Sequence, residues 1–419
     1  MSRRYQVLAP TAPVPAPDDL LEQMAREGAQ RLLQAALRAE VDNFLQRGRY
    51  QRAGEFRGYR NGHLPERSVG VGMGAVTVRQ PRVSDVPAGV EPFQSELLGK
   101  WERRSRTQAR LLVRLYLEGL STGDFEPIFR ALVGETAALS PSSIVRLKDE
   151  WADEFRLWRG RPIRERYVYL FADGVYLKAG LEKENTAVLV VLGVSADGRK
   201  ELLAMEKGYR ESASSWGEVL RDLKARGLTE APLLAVADGG LGLWAALRGV
   251  YPETRHQRCW NHRSLNVADK LPKRLHAEAR AAVREIYEAP TQAECSRRRA
   301  EYCTKLRASG HGDAADCLER DWEDFIAFYD FPEEHWTHLR TSNPVESIFA
   351  GVRLRTNSAK RLRSRENALY LVFKVVLRLS TNWRPINGRN QLALLLDGES
   401  FHDGRLRRTP ASNMEGTAA

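Results

Sequence analysis

Three acidic residues stand where metal chemistry could be done. Asp173 lies in YLFADGVYLK directly after an apolar run, and Asp238 lies in PLLAVADGGLGLW at the end of another. A carboxylate at the end of a strand is held by the sheet yet reaches its rim, which is where a metal ion can be bound. Aspartate before glycine is also ordinary turn chemistry; two such sites in one stretch of strands and helices tilt the reading toward ligands. Glu346, in TSNPVESIFAGVRLRT, follows Asn343 as N-cap and Pro344 as first helical residue, so it could equally close a capping box. Phosphodiester cleavage with two Mg²⁺ ions, for which Mn²⁺ can substitute, needs oxygen ligands from two or three carboxylates, one of them usually bridging. Asp173 is then the bridging candidate, with Asp238 and Glu346 each completing one ion.

Basic residues follow the glutamate closely: Arg353, Arg355, Lys360, Arg361, Arg363 and Arg365. They read either as a solvated face or, beside a phosphodiester site, as a phosphate clamp. Cys259 and His262 form a single C-x2-H in RCWNH. That is an incomplete zinc signature, and a packing or hydrogen-bonding role beside the active site is the favoured reading. Trp244, Trp260, Trp322 and Trp336 are read mainly as core, with stacking on unpaired bases at a cut DNA end as the other use of such side chains.

The elements that must position these residues can be followed along the chain. Residues 1–17, with four prolines, read as disordered, and Leu20 to Phe44 carries apolar residues at helical spacing. A basic, glycine-rich stretch from Gln46 to Arg82 contains a short alternating strand at Ala75 to Arg79. Three helical segments follow, Thr107 to Leu117, Asp124 to Leu132 and Pro141 to Phe155, consistent with a helix-turn-helix in which the last helix reads the major groove. Residues 18–160 are therefore expected to form a DNA-binding region.

From Arg166 the pattern changes. Strand-like runs at Tyr167 to Ala172, Thr186 to Val194 and Glu201 to Met205 precede a helix near Trp216 to Ala225, a strand at Leu233 to Ala237 and a helix from Leu241. This succession predicts an α/β domain with a mixed sheet of the ribonuclease H type. Its first part spans 161–258 and its second part 336–398, with a charged, all-helical insertion at 259–335 and a flexible tail at 399–419.

With 419 residues, two or three domains are expected. A net charge of +11 favours a polyanionic partner, and from Asn343 to Leu395 ten Lys or Arg face only two acids. No run reaches the roughly 18 apolar residues of a membrane span and no signal peptide is evident, so a cytoplasmic protein without a membrane partner is expected. The four cysteines show no paired zinc spacing and read as reduced thiols.

Several blocks together resemble the Mutator-type transposases of bacterial insertion sequences: RNG at Arg60 to Gly62, QPR ending at Arg82, YLEGLSTGDFEPI, FADGVYLK, VADGGLGLW, QRCWNH and FYDFPEEHWTHLRTSNPVESIFAGVRLRT. The resemblance runs from about residue 20 to 403 and is most specific from Phe328 to Thr356. It implies a DDE enzyme with a ribonuclease H-like catalytic domain interrupted by a helical insertion. The catalytic triad it implies falls on Asp173, Asp238 and Glu346, and the C-x2-H signature on Cys259 and His262. It further implies Mg²⁺-dependent cleavage at terminal inverted repeats and strand transfer into target DNA, by a homodimer or higher oligomer on double-stranded DNA. Arg60 and Arg82 join the basic residues after Glu346 as candidate DNA contacts. One departure is that Lys360-Arg361 stands where the family has Lys-Gly.

Two other readings belong to different classes. A transposase-derived DNA-binding regulator without catalysis need not keep three acids. A minimal ribonuclease H-like nuclease needs neither the long stretch between Asp238 and Glu346 nor the large N-terminal region.

Overall fold

The computed structural model describes residues 20–51, 54–71, 74–99, 105, 108, 111, 117, 141–177, 186–208, 212–358 and 365–407. The chain divides into two compact units, Met1–Val145 and Arg146–Ala419.

In the first unit, helix α1 (Leu20–Phe44) packs on two antiparallel pairs, β1 (Tyr59–His63) with β4 (Pro81–Ser84) and β2 (Arg67–Val71) with β3 (Gly74–Val78). Val69, Val76 and Val78 from one hairpin close with Leu37 and Leu98 into a small core. On β3 the buried Val76 and Val78 alternate with the less buried Ala75 and Thr77, as the period-two pattern requires. The Glu40 carboxylate accepts the backbone N–H groups of Glu96 and Leu97, both at 2.9 Å, and so ties the following loop to α1. The expected disordered segment 1–17, the helical segment Asp124 to Leu132 and nearly all of Thr107 to Leu117 lie outside the described residues.

The second unit is built on a five-stranded mixed sheet of order β7-β6-β5-β8-β9. Its strands are β5 (Tyr167–Leu177), β6 (Thr186–Ser195), β7 (Lys200–Gly208), β8 (Leu234–Ala237) and β9 (Arg255–Arg258). β5, β6 and β7 form an antiparallel meander, while β8 and β9 run parallel to β5. Parallel neighbours need crossover connections. Two helices provide them, α3 (Ala213–Ala225) and α4 (Leu241–Val250). These two helices cover one face of the sheet, where Leu170, Ala172, Ala235 and Ala237 meet Trp216, Leu220, Leu243 and Leu247.

Helix α2 (Pro141–Arg159) extends beyond the segment expected from sequence. Its second half buries Trp151 and Phe155, with the Phe155 ring 5.1 Å from that of Phe373 on α12 (Arg365–Ser380). That half thus packs one face into the core of the second unit.

After β9 the chain is helical: α5 (Trp260–Ala268), α6 (His276–Tyr287), α7 (Gln292–Ala308), α8 (Gly312–Glu319) and α9 (Glu323–Ile326). The buried Gln257 of β9 anchors this segment. Its amide donates to the Phe325 carbonyl at 3.0 Å and its carbonyl oxygen accepts the Phe328 N–H at 2.9 Å. The chain returns through α10 (Trp336–Leu339) to α11 (Asn343–Ser358), which packs on β5. Val345, Ile348, Phe349 and Val352 are buried at the i, i+3, i+4, i+7 spacing of one helical face.

The end of the chain departs from expectation. Residues 399–407 are ordered: after α13 (Leu392–Leu396), β10 (Phe401–His402) pairs with β11 (Arg405–Leu406) in a tight hairpin. Phe401 is buried and the Gly404 N–H donates to the Tyr329 carbonyl at 3.0 Å, so the polar composition conceals a docked turn. Residues 408–419 lie outside the described residues. Among the described residues, no helix is long and apolar enough to cross a membrane.

Candidate active site

The sheet register brings the candidate ligands to one level. Phe171 pairs with Val236, and Val236 pairs with Gln257. Two residues further along their chains come Asp173, Asp238 and Cys259. Because side chains alternate across a strand, Asp173 shares the face of Phe171, opposite to the face covered by α3 and α4, while Asp238 and Cys259 directly follow the last residues of β8 and β9. Adjacent strands are about 4.8 Å apart, so the row spans the width of three strands. The pairing persists to this level, for the Cys259 N–H donates to the Ala237 carbonyl at 2.7 Å.

Asp173 is not at the end of its strand, as the sequence suggested. β5 continues to Leu177 because its hairpin partner β6 continues beside it, with Asp173 opposite Val190. The rim is created by the neighbour: pairing with β8 ends at Phe171. Asp173 is therefore well buried and rigidly framed, at 9% exposure, with Oδ1 accepting the Gly174 N–H at 2.8 Å. Asp238 is half-buried in the turn after β8, its Oδ1 accepting the Gly240 N–H at 2.8 Å. Gly239 makes this turn possible. Its φ is +105°, and a Cβ there would stand 2.3 Å from the Arg258 guanidinium, which donates to the Gly239 carbonyl at 2.9 Å.

Glu346 comes from the first turn of α11, the helix that overlies β5. Its cap is Ser342, not Asn343. The Ser342 carbonyl accepts the Val345 and Glu346 N–H groups at 2.9 and 3.0 Å, and its hydroxyl donates to Glu346 Oε1 at 2.5 Å. Asn343 instead accepts from the Asn261 side chain at 2.7 Å. The serine was missed because the capping-box spacing selects the residue three before the glutamate. The signal available was the pair of cap-forming residues in TSNP.

The C-x2-H residues stand beside this glutamate. Cys259 Sγ accepts the Ser342 N–H at 3.2 Å and lies 3.6 Å from Glu346 Oε1, and His262 Nδ1 lies 3.6 Å from the same oxygen. Burial pushes the Cys259 thiol up to about 11, against the pull of the Ser342 hydrogen bonds. The Trp260 N–H donates to the Arg340 carbonyl at 2.9 Å, fastening the two helix starts together. Among the described residues, the donor atoms of Cys259, His262 and Glu346 lie within 4.8 Å of one another. Asp173 and Asp238 are not members of that group.

Arg353 is exposed on α11, and Arg355 and Arg365 lie on α11 and α12. Lys360, Arg361 and Arg363 fall outside the described residues. In the first unit, Arg60 pairs with Asp42 and donates to the Arg47 and Gly48 carbonyls, tying β1 to the end of α1, while Arg82 is exposed on β4. Trp244, Trp260, Trp322 and Trp336 are all buried, at 4%, 0%, 8% and 3% exposure, which removes them as stacking surfaces. Trp260 sits in an aromatic cluster with Trp322 and Phe325, and Trp336 packs edge-on against Phe328.

Comparison with known proteins agrees with this frame. The chain matches the family described as "Transposase, Mutator family" over residues 6–385. It is 44% identical over 307 residues to the transposase for insertion sequence element IS6120 of Mycolicibacterium smegmatis, covering 72% of this chain and 93% of that one. It is 42% identical over 275 residues to the transposase for insertion sequence element IST2 of Acidithiobacillus ferrooxidans, covering 65% and 93%. It is also 30% identical over 365 residues to the transposase for insertion sequence element ISRM5 of Rhizobium meliloti, covering 86% and 89%. A solved Drosophila P element transposase strand transfer complex matches at 9% identity with a TM-score of 0.31, over 71% of this chain and 86% of that one, too low to bear on the fold. On the span of the family match and the identity to these relatives, the chain belongs to the Mutator family of transposases.

Proposed function

We propose that this protein is a DDE transposase that binds the terminal inverted repeats of an insertion sequence, cleaves DNA there and transfers the freed end into target DNA. Its catalytic domain is ribonuclease H-like, interrupted by the helical segment between β9 and α10. The strand order and senses of the sheet support that fold, and one observation carries the chemistry. Asp173 and Asp238 each lie two residues beyond the paired Phe171 and Val236, and the helix bearing Glu346 packs on β5.

The residues suit a pair of Mg²⁺ ions. All three donors are carboxylates, the ligand type hard cations take, and they come from three elements around one rim. Carboxylates that share two ions about 3.5–4 Å apart are spaced by the ions and need not touch each other. Such ions, when bound, would supply Lewis acidity to the scissile phosphate and make a bound water nucleophilic at neutral pH. Asp173, Asp238 and Glu346 would hold these ions between them. The Ser342 hydroxyl and the Cys259 sulfur fix the rotamer of Glu346, and the strand pairing of β5 fixes Asp173, so the ligands are preorganised before DNA arrives.

The partners are double-stranded DNA at the element ends and at the target, bound by a dimer or larger assembly, in the bacterial cytoplasm. The exposed Arg353 lies on the same helix as Glu346 and is suited to hold a phosphate flanking the cut.

The test uses Mg²⁺ and labelled duplexes carrying a transposon end, comparing the protein with Asp238→Asn and Glu346→Gln. End-specific nicking or joining, reduced at least about 100-fold in each variant while DNA binding persists, is expected. Binding without strand chemistry in the unaltered protein would identify it as a transposase-derived regulator instead.

A further inference from the structure

Cys259, His262 and Glu346 form a donor set that the sequence spacing does not display. Sγ and Nδ1 each lie 3.6 Å from Glu346 Oε1. A tetrahedral Zn²⁺ with a Zn–S bond of about 2.3 Å and Zn–N and Zn–O bonds of about 2.0–2.1 Å spans ligand-to-ligand edges of about 3.5 Å for sulfur to oxygen and about 3.3 Å for nitrogen to oxygen. The two edges that meet at Oε1 match to within a few tenths of an ångström, and all three donor atoms lie within 4.8 Å of one another.

Two further features point the same way. His262 Nδ1 is a buried atom without a hydrogen-bond partner, 3.6 Å from a carboxylate oxygen. Cys259 Sγ accepts the Ser342 N–H at 3.2 Å and the Ser342 hydroxyl donates to Glu346 Oε1 at 2.5 Å, so one serine holds both the sulfur and the carboxylate in place. The side chains of His262 and Glu346 are 33% and 31% exposed, so water can reach the fourth position.

We propose that Cys259, His262 and Glu346 bind one Zn²⁺ ion, with water as fourth ligand, and that this ion inhibits the transposase. The inhibition rests on the reading of Glu346 as a magnesium ligand. Zinc on Oε1 spends the negative charge of that carboxylate and sets a divalent charge beside the magnesium pair, which repels both ions. The catalytic glutamate is thereby claimed by a softer ion that the aspartates do not contact.

Titration of the full chain with Co²⁺, a zinc surrogate whose thiolate charge-transfer absorption reports a sulfur ligand, tests the site without any activity. One equivalent should develop that absorption. Cys259→Ser should abolish it, and His262→Ala and Glu346→Gln should weaken Zn²⁺ affinity more than about 100-fold, beyond the cost of losing an outer-shell partner. Asp173→Asn, Asp238→Asn and Cys317→Ser should retain it, with far-ultraviolet circular dichroism checking that each variant is folded. No absorption in the unaltered protein, or absorption that survives Cys259→Ser, overturns the site. For the consequence, Zn²⁺ should inhibit end cleavage in excess Mg²⁺, and zinc that binds without slowing cleavage overturns the inhibition alone. A protein that forms the cobalt site but cuts no DNA counts against the transposase reading and not against the site.

Discussion

The backbone N–H of Ser342 donates to the sulfur of Cys259 at 3.2 Å, joining two residues 83 positions apart in the chain. The whole helical insertion lies between them, so this bond closes the insertion and sets the start of α11, and with it Glu346, against the end of β9.

Cys259→Ala should therefore act at a distance of one bond. The buried Ser342 N–H loses its acceptor, at a cost of about 1–3 kcal/mol in stability. The loosened glutamate should lower cleavage about 10–100-fold in zinc-free magnesium buffer. Cys259→Ser keeps an acceptor at the position and should recover most of the stability. Urea denaturation and end cleavage assays on the two variants check this, and equal stability loss in both would contradict it.

Gln257 makes a comparable prediction for the other end of the insertion. It is fully buried and satisfies both the Phe325 carbonyl and the Phe328 N–H. Gln257→Leu keeps the volume but strands both groups, each costing about 1–3 kcal/mol. The expected readout is a lower urea midpoint together with faster amide exchange around Phe325 to Phe328.

Acid should destabilise the second unit through His338. Burial, with Lys200 nearby, lowers its pKa from 6.5 to about 4, and the Asn387 N–H donates to its Nε2 at 3.0 Å, a bond only the neutral ring can accept. The unfolded chain then binds more protons than the folded one between those two values. Stability is complete above about pH 6.5 and is lost as pH falls toward 4, by about 1 kcal/mol between pH 7 and pH 5 after solvent screening of the partly exposed ring. His338→Gln should flatten that part of the profile in denaturation curves taken across the range. An unchanged slope would assign the effect to other groups, such as His335, whose pKa burial also lowers.

Arg353 supplies the electrostatic prediction. It is exposed on the helix of Glu346, and if it contacts a phosphate then Arg353→Gln should reduce the slope of log affinity against log salt by about one. An unaltered slope, measured by fluorescence anisotropy on a duplex carrying an element end, would remove this residue from the interface.

The sequence by itself determined the strands, most helices and the identity of the family, because apolar alternation and helical periodicity are local properties and the motif blocks are contiguous. It also singled out Asp173 and Asp238, since a carboxylate following an apolar run is visible in one window. It misjudged features whose cause lies elsewhere in the chain. β5 runs past Asp173 because β6 accompanies it, Ser342 rather than Asn343 caps α11 because its N–H meets a cysteine from β9, and residues 399–407 are ordered because Gly404 docks on Tyr329. Only the tertiary structure decided that Phe171, Val236 and Gln257 lie in one register, which puts Asp173, Asp238 and Cys259 in a row, and that Glu346 meets Cys259 and His262. Strand register and the closure of a long insertion depend on pairings between distant segments, and no local window of residues encodes them.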